Sequence, residues 1–478
     1  MAWQTEIDLQ ACVGCHACTV ACRSEFGLPP GSDRTAVRVV EVGGHQPARR
    51  AHHVVRCQQC ADAPCARVCP TGAIARRPDG ILVIERESCI GCRLCLVACP
   101  YDALEMNPIS GTAEKCDLCA HRLDQGLLPA CAAACPTQAI ALRSDAGGEQ
   151  GQTLRPELGC GPRVRYLGGQ SAALDPLAAR PPAGGIFAAS EQAEPMRQLG
   201  GASGALLAQG PGRRPPWDGR AALGIWLRGV AAGVYLVPAA LVLGGALPED
   251  DVLWRLVAPA VALVYGLGAA GVLLWELDSP RRLPKARLNL RSDPARGAVA
   301  LVTLLGLLLL HLVGALAHLS LPLLLTPVGL VLGLAVPFFT ARLLWQSRGR
   351  RLWASRRQFP RLVCASAASG AAMLLPLASV LSQEALSGLY TLLVTTSSIA
   401  ALLMVWDAAR PPTDPAGQRA AAELYRGSYR GMHWAGVGLV ATGLLAPLLG
   451  SWVSPLVLAG LLAYEHALLQ AGLSVPQA

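Results

Sequence analysis

Lysine is almost missing from this chain of 478 residues: of 41 basic side chains, only Lys115 and Lys285 are lysine. Read as a habit of composition, that bias carries no chemistry of its own. Charged residues make up only 15% and aromatics 5%, whereas 52% of the chain is hydrophobic. This is too apolar for one soluble domain of such length, so a membrane-embedded part is expected. The opening MAWQTEIDLQAC has no basic n-region, apolar h-region or twin-arginine pair, so no cleavable export signal is expected. Walker loop, strand-borne G-x-G-x-x-G, H-E-x-x-H and nucleophile elbow are likewise missing, which leaves substrate chemistry to another chain. The net charge of +9 does not signal nucleic acid. Residues 1–145 carry 14 basic against 15 acidic side chains, and the excess lies in residues 221–478, 19 against 11.

What the chain does have is cysteine, concentrated at one end. Sixteen of 18 fall in four groups of four: Cys12, Cys15, Cys18, Cys22; Cys57, Cys60, Cys65, Cys69; Cys89, Cys92, Cys95, Cys99; and Cys116, Cys119, Cys131, Cys135. The third reads C-x2-C-x2-C-x3-C-P, the run in which three thiolates wrap one iron–sulfur cubane and the fourth serves its neighbour. Four [4Fe–4S] clusters follow from four such groups. CPTGAI, CPYDAL and CPTQAI repeat one exit sequence, so the region is internally duplicated. Exchange of fourth cysteines predicts tetrads Cys57/Cys60/Cys65/Cys99, Cys89/Cys92/Cys95/Cys69, Cys12/Cys15/Cys18/Cys135 and Cys116/Cys119/Cys131/Cys22, the last two from nesting one ferredoxin unit inside another. Zinc ribbons use paired C-x2-C and have no use for a third cysteine two residues on. Disulfides need an oxidising compartment and a small loop-rich fold. Cys160 and Cys364 stand outside the pattern as plain thiols. Short strands such as Gly80 to Glu85 alternate with the cysteine loops, giving an α+β, ferredoxin-like head over residues 1–145.

Residues 146–220 are rich in Gly, Pro, Ala and Gln without periodicity and read as a linker whose first third packs on the head. Residues 221–478 form an all-α domain of about eight transmembrane helices, near 221–247, 252–276, 297–319, 321–345, 361–383, 386–408, 431–451 and 453–471. About 20 Arg and Lys gather in the loops on the head's face, and the opposite loops PEDD, LSLP, SQEALS and SWVSP have none. The positive-inside rule then puts the head in the cytoplasm, with the body in a bacterial inner membrane.

The head, with IDLQACVGCHACTVAC, VVRCQQCADAPCARVCPTGAI and CIGCRLCLVACPYDAL, resembles the four-cluster electron-transfer subunit of molybdopterin oxidoreductases such as dimethyl sulfoxide and polysulfide reductases. The body, with LLWELDSPRRLPKARLNLRSDPARGA and AYEHALLQAGLSVPQA, resembles the quinone-reactive membrane subunit of the polysulfide reductase class, although Asp278 is followed by Ser-Pro-Arg-Arg where such subunits commonly have Arg-Pro. The resemblance implies two subunits fused, a separate molybdopterin-type catalytic partner, and menaquinone or ubiquinone as exchangeable substrate in the bilayer. Ionisable groups inside a membrane are rare because each costs about 2.5–3.5 kcal/mol on insertion scales. Arg228, Tyr235, Glu276, Asp278 and His433 are therefore the candidate quinone contacts, with Asp407, Glu465, His466, Tyr265 and His311 behind them. Alternatively, Asp278 and Asp407 pair with Arg281 and Arg410 at the interface, and His311 is a core histidine. A competing function is redox-driven ion translocation, for which the far face offers mainly His318 and Glu384.

Overall fold

The computed structural model describes residues 3–29, 32–42, 49–144, 151–168, 174, 216–319 and 321–475. The chain divides into two compact units: one comprises residues 1–216, 278–288 and 476–478, the other 217–277 and 289–475. Most of the expected linker lies outside the described residues.

Unit one is built around strands β1 (Gln4–Asp8), β2 (Thr35–Val42), β3 (Arg49–Arg56), β4 (Ile74–Arg76), β5 (Leu82–Ile84), β6 (Glu105–Asn107), β7 (Thr112–Glu114), β8 (Ile140–Arg143) and β9 (Val164–Leu167). Between them lie short helices α1 (Ala17–Phe26), α2 (Pro64–Val68), α3 (Leu94–Ala98), α4 (Ala120–Leu123) and α5 (Ala130–Ala133), each following or carrying cysteine ligand positions. β1 is the middle of a three-stranded sheet, antiparallel to β8 through Gln4↔Arg143 to Ile7↔Ile140 and parallel to β9 through Thr5↔Val164 to Asp8↔Leu167. The pairs β2–β3, β4–β5 and β6–β7 are antiparallel hairpins. Each repeated exit sequence leads from its Cys-Pro into a strand: CPTGAI into β4, CPYDAL into β6, CPTQAI into β8. Proline ends the preceding helical turn because it offers no N–H to continue it. Ile7, Val54, Ile81, Leu82, Tyr101, Val164 and Tyr166 form the apolar core between the strands.

Unit two is helical. It comprises α6 (Gly219–Leu243), a π-helical turn (Leu253–Val257) continuing into α7 (Ala258–Trp275), α8 (Asp293–Leu316), α9 (Leu321–Gln346), α10 (Gln358–Leu381), α11 (Gln383–Ala409), the short amphipathic α12 (Pro415–Tyr425), α13 (Arg430–Ala441), the single turn α14 (Ala446–Leu449) and α15 (Ser454–Ser474). Among the described residues, seven stretches are long and apolar enough to cross a membrane, and the last of them, Arg430–Ser474, is 45 residues long. It holds two helices: the chain reverses through 3-10 turns at Gly450, which takes φ +62°, and Gly436 of α13 lies against Gly460 and Tyr464 of α15. The chain is thus a multi-pass membrane protein. Val264, Val302, Val331, Leu402 and Leu448 are exposed, as side chains facing lipid would be.

Lipid tails are as apolar as leucine, so helices in a membrane associate through close packing of small residues rather than through a hydrophobic drive. The α6–α10 seam fits this. A Cβ at Gly233 would collide with the carbonyl of Ser366, and one at Gly370 with the backbone of Gly233. Buried Arg361 lies with Nη1 2.6 Å from Glu465 Oε1, and the half-buried Arg357 pairs with Asp407 at 2.8 Å. Asp407 therefore has Arg357, not Arg410, as its ion-pair partner.

Candidate metal centres

None of the 18 cysteines is in a disulfide. Their thiols gather into four neighbourhoods. Cys12 lies by Cys15 and Cys135, and Cys18 by Cys131 and Cys12. Cys22 lies by Cys116, Cys119 and Cys131. Cys60 lies by Cys57, Cys65 and Cys99, while Cys95 lies by Cys92, Cys69, Cys65 and Cys89. Fourth cysteines thus lie beside thiols of other groups, Cys135 by Cys12, Cys22 by Cys116, Cys99 by Cys60 and Cys69 by Cys95, while Cys131 at Cys18 and Cys65 at Cys95 run between neighbouring sets. Burial, followed by the charge of neighbouring thiols, pushes Cys18 up to about 11, and Cys65 and Cys92 up to about 12. Thiols crowded in apolar surroundings become thiolates when a cation is placed among them, because metal binding releases their protons.

Backbone shape points to the same kind of occupant. In the first C-x2-C loop of each group the residue before the second cysteine is left-handed: Gly14 (φ 69°), Gln59 (φ 47°), Gly91 (φ 71°) and Leu118 (φ 56°). A left-handed residue turns successive N–H groups into one concavity, the nest found at many anionic iron–sulfur sites. Gln59 and Leu118 have side chains, so the conformation costs about 1–2 kcal/mol each and must be held. Gln59 donates from Nε2 to Cys116 O at 2.8 Å and accepts the Leu82 N–H at 2.8 Å, and Leu118 is fully buried. Thr71 and Thr137 place their hydroxyls 3.6 and 3.7 Å from the sulfurs of Cys69 and Cys135. Among the described residues, no three Cys, His, Asp or Glu side chains converge tightly enough to hold a single metal ion. Cys160 is buried beside Cys60, a fifth thiol in that neighbourhood, and Cys364 lies apart in α10.

Two buried cations next to the tetrads were not singled out as site residues from sequence. Arg56 donates from Nη2 to Cys116 Sγ at 3.0 Å. Lys115 donates from Nζ to the carbonyls of Leu82 and Cys116 and acts electrostatically on Cys65. Each directly precedes a cysteine, and one of only two lysines in an arginine-rich chain was itself a signal.

Of the five candidate quinone contacts, Asp278 belongs to unit one and Arg228, Tyr235, Glu276 and His433 to unit two. Asp278 lies in unit one, where Arg93 Nε and Nη2 donate to its two carboxylate oxygens at 2.8 and 2.7 Å. Its partner is thus Arg93, next to Cys92 in the chain, rather than Arg281. Ser279 N donates to Ile90 O, Ser279 Oγ to Gly111 O at 3.0 Å, and Arg282 Nη1 to Cys89 O at 3.3 Å. A Cβ on Gly91 would stand 2.8 Å from the Asp278 Cβ, so glycine is required there by space as well as by φ. In unit two, Glu276 acts electrostatically on Arg228, whose Nε donates to Gly224 O. Tyr235 packs instead with His311 and Trp254, its hydroxyl 3.4 Å from His311 Nδ1. His433 is fully buried among Tyr425, Trp434 and Tyr464.

Residues 52–145 match the family described as "4Fe-4S dicluster domain". A tetrathionate reductase subunit of Salmonella typhimurium is 39% identical over 188 residues, 36% of this chain and 75% of the relative. The thiosulfate reductase electron transfer subunit PhsB of Salmonella typhi is 43% identical over 136 residues, 28% of this chain and 71% of the relative. Protein NrfC of Escherichia coli is 39% identical over 164 residues, 33% and 72% respectively. The matched family spans three of the four cysteine groups, whose thiol neighbourhoods and nests fit iron–sulfur clusters. The chain belongs to the family of 4Fe–4S electron-transfer subunits of reductase complexes, carried here on one polypeptide with a multi-pass helical domain that fits the membrane subunit of the polysulfide reductase class.

Proposed function

We propose that the four tetrads hold four [4Fe–4S] cubanes, and that the chain relays electrons between a separate molybdopterin-type catalytic subunit and the membrane quinone pool. The clusters, when bound, supply one-electron carriage, and the chain's own residues hold them and shape the ends of the relay. The observation that carries the proposal is the segment Asp278–Leu288. It follows one membrane-length helix and precedes another, yet its contacts make it part of unit one, laid on the loop of residues 89–93. A cluster loop fastened to a membrane connector is what a conduit needs and a soluble redox carrier does not. At the other end Cys15 is exposed, flanked by Val13 and Val20, each more than half exposed. An apolar surface over a cluster ligand suits docking of an electron-exchanging partner.

Arg228 and Glu276 are the pair we assign to the quinone head group, since a cation and a carboxylate within one helical unit can hold a carbonyl oxygen and carry the accompanying proton. Asp278, engaged by Arg93, fastens the connector instead. The arginine-rich loops support a cytoplasmic side of a bacterial inner membrane for unit one under the positive-inside rule.

Iron, acid-labile sulfide and zinc analysis of anaerobically purified protein tests the cofactors: about sixteen irons per chain are expected, and a zinc-dominated result refutes them. Cys160→Ser and Cys364→Ser should leave the iron unchanged. Anaerobic addition of a quinol analogue should reduce the clusters, and Arg228→Gln or Glu276→Gln should slow that reduction without loss of iron. Clusters inert to any quinol, with the copurifying partner present, would remove the quinone link.

A further inference from the structure

Arg56 closes β3 and is pinned by its pairing with Thr35 and by Gln58, whose Nε2 donates to the Arg56 carbonyl at 3.1 Å. The residue is 2% exposed. A charge so deep is normally matched by a carboxylate, because an uncompensated buried ion costs several kcal/mol. Arg34 obeys that rule with Glu114 and Asp117. Among the described residues Arg56 pairs with no carboxylate. Its hydrogen bonds go to sulfur, Nη2 to Cys116 at 3.0 Å and Nη1 to Cys131 at 3.7 Å, and Cys22 is the next thiol within its field. Its counter-charges are therefore three of the four thiols of one tetrad.

We infer that Arg56 is a positioning residue that raises the reduction potential of the cluster held by Cys22, Cys116, Cys119 and Cys131. This rests on the reading that the tetrads hold clusters. The electron that arrives adds negative charge to the cluster and its thiolates and no bond is made or broken. A fixed cation at hydrogen-bond distance from two of those sulfurs favours the reduced form over the oxidised one. Net charge and N–H···S bonds are among the protein's levers on such potentials, and burial strengthens both. Lys115 differs: its bonds go to carbonyls, so no sulfur is bonded by it. The consequence is a higher potential at the tetrad that joins Cys22 to the fourth cysteine group than its cysteines would have without the guanidinium.

The test is an EPR-monitored redox titration of the full-length, cluster-loaded protein with Arg56→Gln and Arg56→Lys. Expected is a downward shift of one midpoint in Arg56→Gln with the other midpoints unmoved, and a smaller shift of the same signal in Arg56→Lys, which keeps charge but loses the fork. Midpoints identical to wild type in Arg56→Gln, or a common shift of all signals, overturn the inference. Should Arg56→Gln fail to assemble one cluster, pulsed EPR of the wild type grown with guanidinium-15N arginine decides. A nitrogen coupling on one reduced cluster that vanishes in Arg56→Lys supports the inference, and its absence overturns it. Iron missing from the wild type would instead overturn the cluster reading itself.

Discussion

Replacing Asp278 by Asn keeps shape and one acceptor oxygen but removes the charge that Arg93 grips with two hydrogen bonds. The pair is partly screened, with side chains 18% and 28% exposed. A fully exposed ion pair contributes about 0.2–1 kcal/mol, and hydrogen bonds to a charged group about 1.5–3 kcal/mol. For a bidentate pair shielded to this degree, about 1–2 kcal/mol is the reasonable range. Every 1.4 kcal/mol is about tenfold in an equilibrium, so the population with Asp278–Leu288 lifted off its loop should rise roughly 5- to 30-fold. That segment contains Arg281, Arg282, Lys285 and Arg287, all trypsin targets. Where opening is fast relative to cleavage, proteolysis follows the open population. Limited trypsinolysis of the detergent-solubilised full chain should therefore cut Asp278→Asn between the second and third spans about 5- to 30-fold faster than wild type. Arg93→Gln should match it, and the double variant should add little, since each single change already breaks the same pair. Unchanged cleavage in Asp278→Asn, or full additivity with Arg93→Gln, would refute the clamp.

Reporter fusions after Gln346 and after Glu384 should report opposite compartments, the first cytoplasmic; two identical readings would break the helix order. Burial without a hydrogen-bond partner holds the His53 imidazole down to about 4, with the Arg38 charge adding to the effect. The unfolded chain, with His near 6.5, binds the extra proton first, so stability is full above that value and falls as pH drops toward 4, by roughly 3 kcal/mol at most. In unfolding measured across pH 4 to 7, His53→Leu should flatten that slope, and an unchanged slope would exclude His53 as its source. Gly233→Val should force α6 from α10 at a cost of about 1–3 kcal/mol. Lowered thermal stability of the purified membrane protein is the expected sign, and equal stability would mean that the seam can yield.

The loops that carry the cysteines were legible because two residues between thiols leave room for one reversed turn, and the proline after three of the four closing cysteines frees the chain to form a strand. Gly14 and Gly91 advertise that turn. Gln59 and Leu118 adopt it without glycine, so only the fold, which holds them through Cys116 O, Leu82 N and the core, exposes it. The helical body followed from hydropathy alone, and the last two helices from a break at the loop SWVSP. Partners remote in sequence were not legible. Arg93 and Asp278 are 185 residues apart, and Arg56, next to Cys57 in the chain, serves the thiols of Cys116 and Cys131 instead. Picking out rare ionisable residues found Arg228, Tyr235, Glu276 and His433, but periodicity says nothing about which of them meet, and the helices carry them to different neighbourhoods.

Placing β1 between β8 and β9 has a consequence for biosynthesis. The strand made first has neither neighbour until Ile140–Arg143 and then Val164–Leu167 leave the ribosome. The thiols follow the same schedule: the inner two tetrads are complete once Cys99 is made, the outer two only at Cys131 and Cys135. At about 5–20 residues per second, Cys22 waits roughly 5–20 s for Cys116. Throughout that interval the first cysteine group is a set of unshielded thiols, and on the proposed pairing the tetrads become complete from the inside outward. The Asp278 clamp comes later still, after the second apolar span has been made, so unit one is sealed by a segment that exists only once membrane insertion is under way.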